Sequence, residues 1–274
     1  MKYPAIVTKK YLFTLSIPIF FSNFAIPLVG IVDTGLMGNL GNEKFLAATS
    51  ISTAVITMIY WSFGFLRMGT VGLISQALGK GDYREIVFTV FRNLYIAGIF
   101  GFIIFFLKDP LLSVIQQFFN STNETQLLIE KYISIRLFSA PAELSMYVLI
   151  GLFLGLQKTT LSSLMTMFFS FLNIGLSAYF VIHLNLEIYG VALGTVISAY
   201  VTVLLFLIYV YFFIKKQFNI IPRFVNIFNR KKIFRLLNIN FNIFIRTLLL
   251  TFSFLFFTYQ SAKLGEDYLA INTI

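Results

Sequence analysis

The chain has 274 residues, of which 58% are hydrophobic and only 12% charged, and its mean hydropathy is +0.85. Soluble domains carry about 25% charged residues, so this composition excludes a soluble globular protein and indicates an integral membrane protein. The net charge of +10 lies between apolar spans and not on one polar face. It therefore excludes a nucleic-acid surface and reads as topology signals.

Apolar spans of about 20 residues or more are predicted at 11–36, 45–66, 86–107, 128–156, 161–182, 188–214 and 237–262. The first carries a carboxylate, Asp33, inside otherwise lipid-compatible sequence. An ionised Asp at mid-membrane depth costs at least ~2.5–3.5 kcal/mol on insertion scales, so such a residue is a functional candidate by default. At the helical period, Asn23, Pro27, Gly30, Asp33, Thr34 and Gly38 fall within an arc of about 140°. Phe24, Leu28, Val29, Val32 and Leu36 take the other side. This pattern predicts a cavity-lining helix with one small, polar, kinked face.

The second and third spans are joined by the turn at Gly79-Lys80-Gly81-Asp82, which has no phosphate-loop pattern after it. The fourth span is weakened by Glu130, Lys131, Arg136 and Glu143. Gly151-x-x-x-Gly155 in the fourth and Gly190-x-x-x-Gly194 in the sixth predict close helix approach. In the fifth, Asn173 either lines a cavity with Asp33 or makes an interhelical hydrogen bond. Thr195 and Ser198 in the sixth are expected to bond their own backbone carbonyls. Arg67, Arg92 and Arg136 are placed towards helix ends, snorkelling to the interface. Arg246 sits deeper in the seventh span and faces a cavity, and Glu143 pairs with a neighbouring arginine or faces the same cavity.

Charge bias sets the orientation. With the N-terminus inside, thirteen basic residues fall on the cytoplasmic side: Lys2, Lys9, Lys10, Lys80, Arg84, Lys158, Lys215, Lys216, Arg223, Arg230, Lys231, Lys232 and Arg235. Three fall outside: Lys44, Lys108 and Lys263. The positive-inside rule then places the N-terminus in the cytoplasm of a multi-pass inner-membrane protein.

The predicted fold is all-α, a polytopic membrane helical bundle. Residues 1–214 form an N-terminal six-helix lobe, 215–236 a basic cytoplasmic linker, and 237–274 the first helix of a C-terminal lobe and the start of the next. Phe224, Ile227, Phe228, Lys231, Phe234 and Arg235 make that linker either an amphipathic segment on the inner leaflet or a plain solvated connection. The stretch from Leu40-Gly41 to Ile51 is echoed by Leu264-Gly265 to Ile274, at corresponding points of a six-helix repeat. Six helices preserve orientation, so the lobes are expected to be parallel repeats. Five spans of the second repeat do not follow, and the chain is expected to be a fragment or the product of a truncated gene.

Enzymatic chemistry is not expected. There is no Cys and one His; His183 falls in a predicted short loop, and no metal or nucleophile constellation can be assembled. One intramembrane Asp cannot form an aspartyl-protease pair.

Several stretches resemble the multidrug and toxic compound extrusion (MATE) family, and within it the DinF-like branch. They are Pro18 to Gly41 with Asp33-Thr-Gly-Leu-Met-Gly38, Phe65 to Gly79, and Ile135-Arg-Leu-Phe-Ser-Ala-Pro141 with Gly151 to Gln157. Gly190 to Thr195 and Arg246 with Ala262 to Gly265 complete them. The resemblance implies twelve helices in two lobes, alternating access, and export of small cationic or amphipathic compounds against a proton or sodium gradient, with no other cofactor. It implies that Asp33 is the coupling residue, that a bend at Pro27 accompanies its protonation, and that Asn173 and Thr195 belong to the N-terminal cavity. Many relatives carry a second aspartate where this chain has Ser177. The repeat mate of Asp33 falls near Phe257, so the carboxylate site belongs to the N-terminal lobe. The expected partners are the bilayer, the exported compound, and a missing C-terminal lobe or a second chain. Two alternatives stay open: a lipid-precursor flippase of the same superfamily, using Arg67, Arg92 and Arg246 if they face inward, and a non-transporting truncated remnant.

Overall fold

The computed structural model describes residues 8–118, 122–218 and 230–264, all of them helix or short connection. The helices are α1 (Lys9–Gly38), α2 (Glu43–Trp61), α3 (Phe65–Gly79), α4 (Tyr83–Phe106) and α5 (Lys108–Phe118). Then follow α6 (Asn123–Arg136), a 3-10 turn at Leu137–Ser139, α7 (Ala140–Gly155), α8 (Thr159–Ile182), α9 (Glu187–Phe218) and α10 (Arg230–Leu264). Among the described residues seven segments are long and apolar enough to cross a membrane, one at each predicted span, with the second running on to Gly79.

Two of those spans are broken. The second runs Glu43–Gly79 and interrupts between α2 and α3, where Gly64 sits at the junction. The fourth runs Asn123–Gly155 and interrupts at Leu137–Ser139, because Pro141 in the first turn of α7 has no N–H to continue the α6 ladder. The broken spans lie side by side: α2 packs on α6 and α3 on α7. The backbone groups freed at the fourth-span break are capped from neighbouring helices. Tyr60 of α2 donates its hydroxyl to the Arg136 carbonyl at 3.0 Å, and Tyr200 of α9 to the Phe138 carbonyl at 2.9 Å. Backbone left unpaired at membrane depth would cost several kcal/mol per group, on the order of the apolar transfer penalty.

The axis of the lobe is α7. It is apolar on all sides, buries residues around its full circumference from Ala140 to Gly155, and meets α2, α3, α4, α8 and α9. One apolar cluster gathers Ile56, Leu66, Leu137, Leu144 and Val148; a second gathers Ile74, Ile86, Leu149, Phe153 and Val203. Small residues set the distances. A Cβ at Gly151 would lie 2.8 Å from Thr70 Cβ and one at Gly155 2.7 Å from Ile74 Cβ, so this pair seats α7 on α3. Gly190 and Gly194 seat α9 on α8 in the same way.

By contrast, α1 docks shallowly. Among its described side chains only Ser22, Ala25 and Met37 are buried, with Pro18, Val29, Val32, Asp33 and Leu36 half-buried. It packs on α8 and α2, with a lesser contact on α9. The greasy side expected to face away from the cavity is therefore split: Val29, Val32 and Leu36 meet the lobe, whereas Phe24 and Leu28 are exposed.

The last helix, α10, begins at Arg230, inside the stretch expected to be a linker, and packs on α3. Lys231, Phe234 and Arg235 thus belong to its first turns. Phe224, Ile227 and Phe228, the residues from Gly265 to Ile274 and the side chain at Phe257 lie outside the described residues.

Two glycines of α4 separate packing from propensity. Gly101→Ala places a methyl 2.4 Å from the Pro141 Cα and is expected to lower stability by about 1–3 kcal/mol through overpacking. Gly98→Ala meets nothing within 4 Å and is expected to be neutral or slightly stabilising. Thermal melts of the purified protein in one detergent check the pair.

Candidate functional site

The carboxylate site is built where α1 crosses α8. Asp33 sits at the border of the docked face of α1: its Oδ1 is buried without a hydrogen-bond partner, while the residue as a whole is half-buried. Ser177 of α8 lies beside it, fully buried, its hydroxyl without hydrogen-bond geometry to any partner. One turn earlier on the same face, Asn173 is fully buried; its Nδ2 donates to Thr195 Oγ1 of α9 at 2.7 Å. Thr195 in turn donates to the Val191 carbonyl at 3.0 Å. That leaves Asn173 Oδ1 with no partner. Ser177 cannot withdraw, because Gly194 of α9 presses on it: a Cβ there would stand 2.7 Å from Ser177 Oγ.

The polar seam extends beyond the residues named from sequence. Ser170, Asn173 and Ser177 share one face of α8, and Thr195, Ser198 and Thr202 one face of α9, each at the i, i+3, i+7 spacing. All six are buried. Ser170 and Thr202 also lack partners for their hydroxyls. Buried polar atoms are normally paired, so a run of unpaired oxygens inside an apolar bundle marks a place for water or a cation. The i, i+3, i+7 repeat of hydroxyl residues was the available signal for Ser170 and Thr202.

A second polar centre stands behind Asp33 at the fourth-span break. Arg136 Nη1 donates to Glu143 Oε1 at 2.6 Å and to Ser139 Oγ at 2.7 Å. Ser139 Oγ lies 3.1 Å from the Tyr60 hydroxyl, and the Arg136 guanidinium stands 5.8 Å from the Tyr60 ring centroid. The side chains of Arg136 and Glu143 are only 11% and 18% exposed. Arg136 is also within electrostatic range of Asp33. Snorkelling therefore does not describe Arg136: the break in the span puts its α-carbon inside the bundle, and Glu143, seven residues on, neutralises it there. Arg92 is corrected likewise. It is buried, 2% exposed, and pairs with Glu85 at 3.0 Å.

The remaining candidates do not converge on this cluster. Asn23, Pro27 and Thr34 are on the exposed side of α1, and Arg246 is exposed on α10. Pro27 has no N–H for the Asn23 carbonyl one turn back, so α1 is intrinsically weak on its exposed side, above Asp33. His183 is exposed in the α8–α9 turn and stacks on Tyr179. Among the described residues no group of three His, Asp or Glu side chains is placed to hold a metal.

Comparisons with known proteins agree with this architecture. Residues 18–179 match the MatE family. The chain is 31% identical over 265 residues to the DNA damage-inducible protein F of Escherichia coli K12, covering 97% of this chain and 58% of that protein. It is 24% identical over 200 residues to the multidrug export protein MepA of Staphylococcus haemolyticus, covering 73% and 44%. A solved MOP superfamily transporter from Pyrococcus furiosus has the same fold, with a TM-score of 0.79 at 22% identity over 94% of this chain and 57% of that one. The chain thus spans about half the length of these relatives, from 44% to 58%.

The ion pair behind Asp33 has a measurable signature. Arg136→Leu strands Glu143 in the bundle and is expected to cost about 3–5 kcal/mol, the usual penalty for breaking one side of a buried pair. Adding Glu143→Leu is expected to recover most of that loss. Thermal melts of the two variants against the parent protein check the order.

Proposed function

The chain belongs to the MATE family, in its DinF-like branch, and on that premise we propose that it forms the coupling lobe of a secondary antiporter. In this reading the antiporter exports small cationic or amphipathic compounds by alternating access, driven by a proton or sodium gradient. The observation that carries the reading is Asp33, a carboxylate at membrane depth with one oxygen buried unpaired and its outer side open. An intramembrane carboxylate of this kind is the usual seat of a coupling ion. Broken spans beside it are also the usual setting of such sites.

The site residues divide the task. Asp33 takes up the ion from the outside. Ser177 Oγ and Asn173 Oδ1 are the oxygens left to complete its surroundings, with Thr195 holding the Asn173 amide in place. Ser177 stands where many relatives have a second aspartate, so Asp33 acts as a single charge and one monovalent ion neutralises it. Loss of that charge relaxes its attraction to Arg136 and frees α1, which is held by small residues and weakened at Pro27. Movement of α1 then changes the exposed face bearing Asn23, Pro27 and Thr34, and a bound cation is released. A ligand shifts such an equilibrium only through its different affinity for the two states; here the difference is the charge on Asp33.

The charge bias of the connections supports an inner-membrane location with the N-terminus in the cytoplasm. In this reading the partners are the bilayer, the exported compound and a second six-helix lobe, from the same polypeptide or another chain. The flippase alternative loses support at Arg92, which is enclosed and paired with Glu85, leaving Arg67 and Arg246 as the exposed cations.

Asp33→Asn is expected to reduce gradient-driven uptake of the compound into inverted vesicles at least tenfold, a barrier change of about 1.4 kcal/mol or more, while equilibrium binding of the compound persists. Unchanged uptake removes the coupling role. In the same vesicles, a protonophore and a sodium ionophore distinguish the ions, since only the ionophore that dissipates the coupled gradient stops export.

A further inference from the structure

A cavity at the end of the bundle where α10 begins takes no part in the exporter mechanism above. It encloses about 220 Å³ between the last turns of α3, the first turns of α4 and the start of α10. Lys80, Arg92, Lys232 and Arg235 line it against Asp82 and Glu85, four positive charges to two negative. The two carboxylates are committed. Glu85 accepts from Arg92 at 3.0 Å and pairs with Lys232. Asp82 caps α4, its Oδ1 accepting the Glu85 N–H at 3.0 Å. Lys80 and Arg235 are exposed at the mouth and enter no ion pair among the described residues. The N-terminal end of the 24-residue α4 adds its positive dipole end to the same space.

The inner wall is different. Leu73, Ala77, Leu236 and Ile239 face the cavity, with Ala77 and Leu236 buried. The space therefore grades from a cationic mouth to an apolar interior. Its walls are fixed by two cross-links of one register, Glu85 to Lys232 and Asn93 to Asn240, both 147 residues apart along the chain. A free phosphate ion would satisfy the mouth and leave the apolar wall bare. Cationic pockets between transmembrane helices at the membrane surface suit anionic headgroups.

We propose that this cavity binds an anionic phospholipid, whose phosphate oxygens are held by Lys80 and Arg235 while Leu73, Leu236 and Ile239 receive the first methylenes of an acyl chain. Bound there, the lipid bridges the α3–α4 pair to α10 and strengthens the seating of α10.

The test uses the purified protein in a neutral detergent, incubated with phosphatidylglycerol or phosphatidylcholine and read by native mass spectrometry. The parent protein is expected to retain phosphatidylglycerol at least fivefold more than phosphatidylcholine. The double variant Lys80→Ala with Arg235→Ala is expected to lose that excess while melting at the parent's temperature in lipid-free detergent, and Lys80→Arg with Arg235→Lys to keep it. Equal retention of the two lipids by the parent overturns the proposal, as does an undiminished excess in the alanine variant. Inorganic phosphate provides the other arm: displacement of the lipid by millimolar phosphate assigns the mouth to a free anion and overturns the lipid source. Persistence of the lipid supports it.

Discussion

The ion pair between Arg136 and Glu143 is the interaction on which the rest of the lobe depends. A guanidinium inside an apolar bundle is tolerable only when its charge and its donors are matched. The break that Pro141 imposes on the fourth span brings Arg136 at the end of α6, Ser139 in the turn and Glu143 at the start of α7 to one point. That break frees backbone carbonyls, and these draw in Tyr60 from α2 and Tyr200 from α9. The pair thus ties together both interrupted spans and the sixth one. Its own net contribution to stability is small, since desolvating two charges offsets most of their attraction. What it contributes is position: it holds a positive charge near Asp33 at the break that Pro141 sets.

Against this frame, α1 keeps most of its surface exposed. The glycine pairs at 151/155 and 190/194 bring α7 onto α3 and α9 onto α8 at near-backbone contact. The seat of α1 along α8 is made without such a pair: its Gly30, Gly35 and Gly38 meet nothing within 4 Å. It is seated through Ser22, Ala25 and Met37, and Asp33 stands at the margin of that seat. A carboxylate buried deeper would be closed to ions, and one fully exposed would not feel the lobe behind it. The unpaired oxygens of Asn173 and Ser177 lie on the side that feels it.

Much of this was legible in the chain. The seven spans, the G-x-x-x-G seams and the carboxylate at Asp33 follow from hydropathy, spacing and residue type, whereas the grouping of Asn173 with Thr195 came from the family resemblance. The arginines were misjudged for a physical reason. Hydropathy places Arg92 and Arg136 near span ends, where snorkelling is the inexpensive solution; pairing of Glu143 with a neighbouring arginine was one of the two expected readings, whereas nothing pointed to Glu85 as the partner of Arg92. The face of α1 was half right. Asn23, Pro27 and Thr34 do share an exposed side, but Val29, Val32 and Leu36 turn out to dock on the lobe while Phe24 and Leu28 do not.

By itself, then, the sequence determined that this stretch carries seven apolar spans of a helical membrane protein, because span length and apolarity are local properties that the bilayer reads directly. It also determined that one span carries an acid whose burial needs a reason. Only the tertiary structure decided which helix meets that acid, where two spans break, and which charges pair across a turn. Those outcomes depend on neighbours distant in the chain, and an α-helix presents every side of itself to its surroundings until packing chooses one.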